Sequence, residues 1–366
     1  MMKTAPVVFA VHDTYQIMVP TSTPSLMWVR VGETDYYDDF NGIMRSESGI
    51  HRMIVPATEL NKARCYTICE REVIERKAYW SQMEEVKEMV IPFTPVKDGA
   101  ARCFHVADTH NRIAEPVRAA QYYGNIDFLI MNGDIPEDSG HIENFDIIYE
   151  IASQITKGRI PVIFARGNHD LRGIYAERIE DYCPNENGRT YFTFRLGSIW
   201  GIVLDCGEDK DDLRDEYGGT ICCHAFRKQE TEFIRQVISK KEYEEKGITQ
   251  RIVVVHNPFT QRGEYPFNIE TEIYTEWAKL LKEGIHPHIM ICGHKHCMEI
   301  CLPGSEQDHL GQPCPMIVGA KPGSGWFAGA GIMFDEKNVY VTFVDSDGKM
   351  WGQQTLSVGG EDTATS

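Results

Sequence analysis

Asp108-Thr109-His110, Gly133-Asp134, Gly167-Asn168-His169-Asp170, His256 and Gly293-His294-Lys295-His296 follow one another along the chain. Their side chains offer carboxylate, amide oxygen and imidazole nitrogen, with no thiolate among them. That donor set suits Zn, Mn, Fe or Mg in a hydrolytic site better than a structural Cys-rich zinc site. An Asp has two oxygens and can hold one metal with each, so Asp134 is the natural bridge between a pair of ions. With Asp108 and Asp134 as the anionic protein ligands, two divalent ions keep positive charge for a hydroxide and an anionic substrate. An imidazole beside them can protonate a leaving group.

These blocks need elements that bring them together, and the flanking sequence supplies them. Cys103 to Ala107 precedes Asp108, Phe128 to Met131 precedes Gly133-Asp134, and Pro161 to Phe164 precedes Gly167-Asn168. Ile252 to Val255 runs into His256, and Ile289 to Cys292 into Gly293-His294. Short apolar runs bounded by Gly, Pro or polar residues read as buried strands. In open α/β sheets ligands bind beyond the carboxyl ends of the strands, so five polar clusters at five such ends converge on one crevice. Glu115 to Tyr123, Ile142 to Ile155, Arg227 to Lys241 and Glu270 to Lys282 carry helical apolar spacing between those strands. Phe192 to Leu204 reads as a hairpin entering a second sheet, and Asn338 to Val344 with Asp347-Gly348 as a later one. Helices outside and two sheets inside predict a four-layer α/β/β/α sandwich over residues 100–358.

Upstream the texture differs. Ile91-Pro92-Phe93-Thr94-Pro95-Val96-Lys97-Asp98-Gly99 reads as a linker. Ahead of it, alternating stretches such as Leu26 to Val31 and turn clusters such as Asp38 to Gly42 predict a small all-β sandwich over residues 1–95. Leu60 and Tyr66, six residues apart before a strand, resemble the tyrosine corner of immunoglobulin and fibronectin type III-like sandwiches, with Trp28 as the aromatic of the core. The competing reading makes Thr58 to Met89 one amphipathic helix. Residues 359–366 read as a disordered tail.

Composition narrows the class. A formal charge of −17 on 366 residues argues against long nucleic acids, whose phosphates are gripped by Lys and Arg. No apolar run is long enough for a membrane span, and the N-terminal apolar stretch is too short for a secretory segment. Eleven Cys in no regular framework predict reduced thiols and a cytoplasmic address. Oligomeric state is left open.

The order Asp-x-His, Gly-Asp, Gly-Asn-His-Asp, His, Gly-His-x-His resembles the calcineurin-like metallophosphoesterase superfamily over roughly residues 100 to 345, and the upstream sandwich is similar in layout to that of the purple acid phosphatases. The resemblance implies two divalent or trivalent metal ions, Mn, Fe or Zn. Asp108, His110, Asp134 and His296 would hold the first, and Asp134, Asn168, His256 and His294 the second. It implies attack by a metal-bridging hydroxide, with His169 as the acid and Asp170 orienting its imidazole. Glu137 stands where purple acid phosphatases carry Tyr, and His110 where they carry Gly, so the centre is expected to lack their colour. Asn111 follows the Asp-x-His block and puts an amide near the substrate, while Arg112 and Arg166 are candidate phosphate contacts by adjacency. Arg166 to His169 is also the Arg-Gly-Asn-His of protein Ser/Thr phosphatases, but their Gly-Asp-x-x-Asp-Arg-Gly has no counterpart here. The expected substrates are small phosphomonoesters, with phosphodiesters or nucleotides as the alternative. A binding protein on a retired phosphoesterase fold is the alternative of another class, disfavoured because no position of the ligand set is missing.

Overall fold

The computed structural model describes residues 1–358, so the tail expected at 359–366 lies outside the described residues. Two sheets face each other. The larger runs, in spatial order, Met350–Ser357, Asn338–Asp345, Trp326–Phe334, Ala101–Val106, Phe128–Asn132, Pro161–Ala165, Val7–Val11, Thr14–Pro20 and Ile50–Pro56. The second runs Phe192–Leu196, Ile199–Leu204, Gln250–Val255, Ile289–Cys292, Met316–Val318 and Glu299–Cys301. At the heart of each, the strands that carry the polar blocks are parallel, so their carboxyl ends lie along one edge.

Strand alternation assigns the layers. Cys103, Ile130 and Ile163 of the first sheet meet Val203, Ile252, Val254 and Ile291 of the second in the central core. The neighbours one residue on point the other way: Phe104, Leu129, Met131 and Phe164 pack under the helices Ala114–Tyr123 and Asp146–Thr156. Ile202, Leu204, Val253 and Val255 pack under Cys223–Lys240 and Thr271–Leu280. Residues apolar on both faces are what buried parallel strands require. The result is the expected four-layer α/β/β/α sandwich.

The N-terminal region is all β, apart from the short helix Ala57–Ala63, and Thr58 to Met89 is not one helix. It is not a separate body, however. Val7–Val11 pairs in parallel with Pro161–Ala165, Val8 opposite Pro161 and Phe9 opposite Val162, so three N-terminal strands extend the larger sheet. The others, Ser25–Val31, Thr34–Tyr37, Cys65–Arg76 and Lys87–Pro92, form a small sheet laid over that extension. Met27, Val29, Ile68 and Ile91 pack there against Ile17, Val19, Met53 and Val55 in a core continuous with the one between the two sheets. The division expected near 92–100 therefore marks a change of sheet without a break in packing, and Phe93 and Val96 of that segment are themselves buried.

Two local expectations are corrected. Trp28 lies on the outer face of its strand beside Tyr37, because Met27 and Val29 take the inward positions. Tyr66 is fully buried, but its hydroxyl does not return to its own region as in a tyrosine corner. It donates to the Gly158 carbonyl at 2.8 Å, in the turn after Asp146–Thr156. Gly158 sits at φ +69°, and a Cβ there would stand 2.7 Å from the Tyr66 oxygen, so the close approach requires glycine. Tyr66→Phe is expected to lower stability by about 1 kcal/mol, the net worth of one buried hydrogen bond. Chemical denaturation checks this, and an unchanged midpoint would show that the contact contributes nothing. Among the described residues no helix is long and apolar enough to cross a membrane.

Candidate metal centre

Asp108, Asp134, Asn168, His256 and His294 each stand one to three residues past the end of a strand, Ala101–Val106, Phe128–Asn132, Pro161–Ala165, Gln250–Val255 and Ile289–Cys292 respectively. The backbone there is strained: Asp108, His110, Asn111, Asp134, His294 and His296 all hold positive φ, between 45° and 70°. Each left-handed non-glycine residue costs on the order of 1 kcal/mol, and such strain gathers where surrounding structure enforces it for function. The motif glycines are there for close approach. A Cβ on Gly133 would lie 2.5 Å from the Gly167 nitrogen and 2.7 Å from His256 Nδ1, and one on Gly167 would lie 2.2 Å from Asp134 Oδ1.

Three groups of candidate ligand atoms result, each with its atoms within 4.8 Å of one another; the two that draw only on the expected ligands are Asp108 with His110 and His296, and Asp134 with His256 and His294. In the first, His110 Nε2 is 3.1 Å from His296 Nε2, which is 3.3 Å from Asp108 Oδ1. In the second, His256 Nε2 is 3.1 Å from Asp134 Oδ2, and Asn168 Oδ1 joins through His294 Nδ1 at 3.0 Å. Asp108 Oδ1 is also 3.8 Å from His256 Nε2, so the groups adjoin. The Asp134 charge acts on His110, His256, His294 and His296, two of which belong to each group.

The protonation chemistry fits cations. Burial holds the His110 imidazole down at about 4 and lowers His294 as well, which keeps both neutral and ready to ligate. His256 Nδ1 is 2.6 Å from the Asn132 carbonyl, which fixes its proton on that nitrogen. Its buried Nε2 then has no hydrogen-bond partner and faces the Asp134 carboxylate, an arrangement that calls for a positive charge between them. Consistently, although burial opposes charging His256, Asp134 and Asp108 raise it. Burial likewise opposes the Asp134 charge, yet His256 and His169 hold that carboxyl down. The residues present therefore fit a bound cation.

His169 borders both groups, its ring edge-on to His110 at 4.6 Å and its Nε2 4.0 Å from Asp134 Oδ2. Its Nδ1 donates to the Glu137 carbonyl at 2.8 Å, and its Nε2 accepts from Arg172 Nη1 at 2.8 Å. Asp170 does not orient this ring. Fully buried, it accepts through Oδ2 from the Asp134 and Gly167 amides at 3.2 and 2.7 Å, tying the two turns together. Burial, reinforced by Asp134, raises its carboxyl.

The expected substrate contacts fare differently. Arg166 is partly buried and pairs with Asp205 at 2.6 Å, its guanidinium over the Phe226 ring. Arg112 donates to the Thr109 and Gly323 carbonyls. Asn111 is exposed, and its Oδ1 accepts from the Glu137 amide. Sequence reasoning noted Glu137 only as the replacement for a Tyr, yet its Oε2 is 3.1 Å from His110 Nδ1 and it groups with His110 and His169. It missed Arg172, Glu208 and Asp209. The strand Ile199–Leu204 ends just before Asp205-Cys206-Gly207-Glu208-Asp209, a sixth polar strand end that the same reasoning could have found.

The family model for calcineurin-like phosphoesterases matches residues 101–298, more than half of the chain. The structure is similar to the purple acid phosphatase PPD1 from yellow lupin (Lupinus luteus) seeds, with 13% identity and a TM-score of 0.59 over 100% of this chain and 79% of that one. It is similar to PhoD, with 9% identity and a TM-score of 0.58 over 98% of this chain and 90% of that one. At such identities the likeness is one of fold. No curated protein matches the chain by sequence. With its motif order, its two groups of ligating side chains and the matched span, the chain belongs to the calcineurin-like phosphoesterase family and is a metal-dependent phosphoesterase.

Proposed function

We propose that this phosphoesterase hydrolyses small phosphomonoesters at a pair of metal ions, Mn, Fe or Zn, that share Asp134. Asp108, His110, Asp134 and His296 hold one ion, and Asp134, Asn168, His256 and His294 the other. The observation that carries this reading is the buried, unpartnered His256 Nε2 facing Asp134 beside a second group of ligating atoms. When bound, the ions supply Lewis acidity toward the phosphoryl oxygens and an ionised water as nucleophile.

The chain's own residues do the rest. Asn132 fixes the His256 tautomer, and Asp170 holds the Asp134 and Gly167 turns at the spacing the ligands need. The Glu137 carbonyl anchors His169 Nδ1–H, so that Nε2 faces the cleft. Protonated at Nε2, His169 delivers that proton to the departing alkoxide. A monoester dianion gains more from two adjacent cations than a diester monoanion does, and a diester also needs room for a second organic arm.

The test compares kcat/KM for an aryl phosphomonoester and the corresponding bis-aryl diester, with Mn-loaded and Zn-loaded protein. The expected result is a monoester preference with either metal. A diester preference above about tenfold, or about 1.4 kcal/mol in transition-state stabilisation, would make the chain a phosphodiesterase. Absence of turnover on either ester would point to a binding role.

A further inference from the structure

We propose that Arg172 is the substrate-binding residue that selects a terminal phosphoryl group, by donating from Nη1 to the third non-bridging oxygen of a phosphomonoester. The proposal rests on the phosphomonoesterase reading above and deepens it.

Arg172 directly follows the Gly167–Leu171 segment, and its amide donates to the His169 carbonyl at 3.0 Å while its carbonyl accepts from Ser139 at 2.7 Å. The backbone under it is therefore tied to the same turn that carries the acid. Its guanidinium is gripped from behind. Nε lies 3.0 Å from Glu208 Oε1 and Nη2 3.2 Å from Glu208 Oε2, the two-point fork that Arg forms with a carboxylate. Nη2 is also 3.6 Å from Asp209 Oδ1. Glu208 is only 1% exposed and is held in turn by the Tyr217 hydroxyl at 3.0 Å, so the fork has a rigid base.

With Nε and Nη2 occupied, Nη1 is the corner left over. It points at His169 Nε2, which lies 4.0 Å from Asp134 Oδ2. On the other flank, Asp209 Oδ2 lies 3.9 Å from His294 Nε2, which places the guanidinium between the acid and the second ligand group. The side chain is about one-third exposed, and its Nε and Nη2 are held by Glu208. A phosphoryl oxygen taking the Nη1 hydrogen bond would sit beside the His169 ring.

The selectivity follows from counting oxygens. A phosphomonoester presents three non-bridging oxygens and a diester two. A fixed cation beside two metal positions matches the third oxygen, which a diester lacks. Lysine cannot substitute, because its point charge cannot occupy the Glu208 fork and reach forward at once.

The test uses full-length metal-loaded protein. Inorganic phosphate binding is measured by calorimetry and kcat/KM with the aryl monoester and bis-aryl diester, for wild type, Arg172→Ala, Arg172→Lys and Glu208→Gln. Removing Arg172 strips the buried Glu208 of its counter-charge, so Arg172→Lys, which keeps a cation there, guards against simple misfolding. Both Arg172 variants are expected to weaken phosphate binding and monoester kcat/KM by about 10- to 100-fold, the worth of one charged hydrogen bond. Diester kcat/KM should change by less than about threefold with metal content unaltered, and Glu208→Gln should show a smaller loss in the same direction. Phosphate affinity within about twofold of wild type in both Arg172 variants, or equal losses on both esters, would overturn the inference and leave the phosphoesterase reading standing. Wild-type protein that carries its metals yet binds no phosphate would overturn both.

Discussion

Asp134→Ala is expected to remove both metal ions and to lower phosphoesterase activity by more than about 10²-fold, since even outer partners of metal ligands cost 10–100-fold when lost. Its carboxylate faces His256 Nε2 at 3.1 Å, and its charge also acts on His110, His294 and His296 across the two groups. Asp108 reaches across less closely, its Oδ1 lying 3.8 Å from His256 Nε2. His296→Ala provides the contrast. It removes one half-exposed ligand from the Asp108 group and should weaken that ion while the other is retained. Elemental analysis of chelator-free preparations reads both variants, and an Asp134→Ala protein that kept both metals would sink the shared-ligand assignment.

His169→Ala is expected to keep its metals and lose rate according to the leaving group. General acid help is typically worth 10²–10⁴-fold, and it matters most where the departing alkoxide is poorly stabilised. Alkyl phosphates should therefore suffer the full loss and activated aryl phosphates much less. The ring is held by the Glu137 carbonyl and Arg172, while the His169 amide that donates to Asp134 Oδ1 belongs to the backbone and survives the substitution. Both ligand groups should therefore keep their ions. An equal loss on alkyl and aryl esters would assign His169 to phosphate binding instead of proton transfer.

The metal blocks were legible in the sequence because each combines two signals, a buried-strand pattern and a polar residue just past its end. Asp108, Asp134, Asn168, His256 and His294 all satisfied both. For residues chosen by adjacency, even both signals did not fix where the side chain goes. Arg166 follows Ala165 directly, yet its side chain pairs with Asp205, a partner that neighbourhood in sequence does not encode. Asp170 was expected at the imidazole, but a fully buried carboxyl is drawn to unpaired backbone amides, here those of Asp134 and Gly167. Glu208 and Arg172 meet from segments 36 residues apart, a pairing that only the fold creates.

The N-terminal region shows the same limit on a larger scale. Alternation in Leu26 to Val31 revealed an all-β region, since a half-buried strand writes its two faces into the sequence. Val7–Val11, buried at every residue, carries no such alternation, and its partner is not specified locally. Its parallel pairing with Pro161–Ala165 turns an apparent separate domain into an extension of the catalytic sheet.

The most direct measurement is anomalous scattering from crystals of the chain loaded with Mn or Zn and collected at the metal's absorption edge. The account predicts two peaks, one among Asp108, His110 and His296 and the other among Asn168, His256 and His294, with Asp134 in contact with both. A single peak, or two peaks without a shared Asp134, would contradict it.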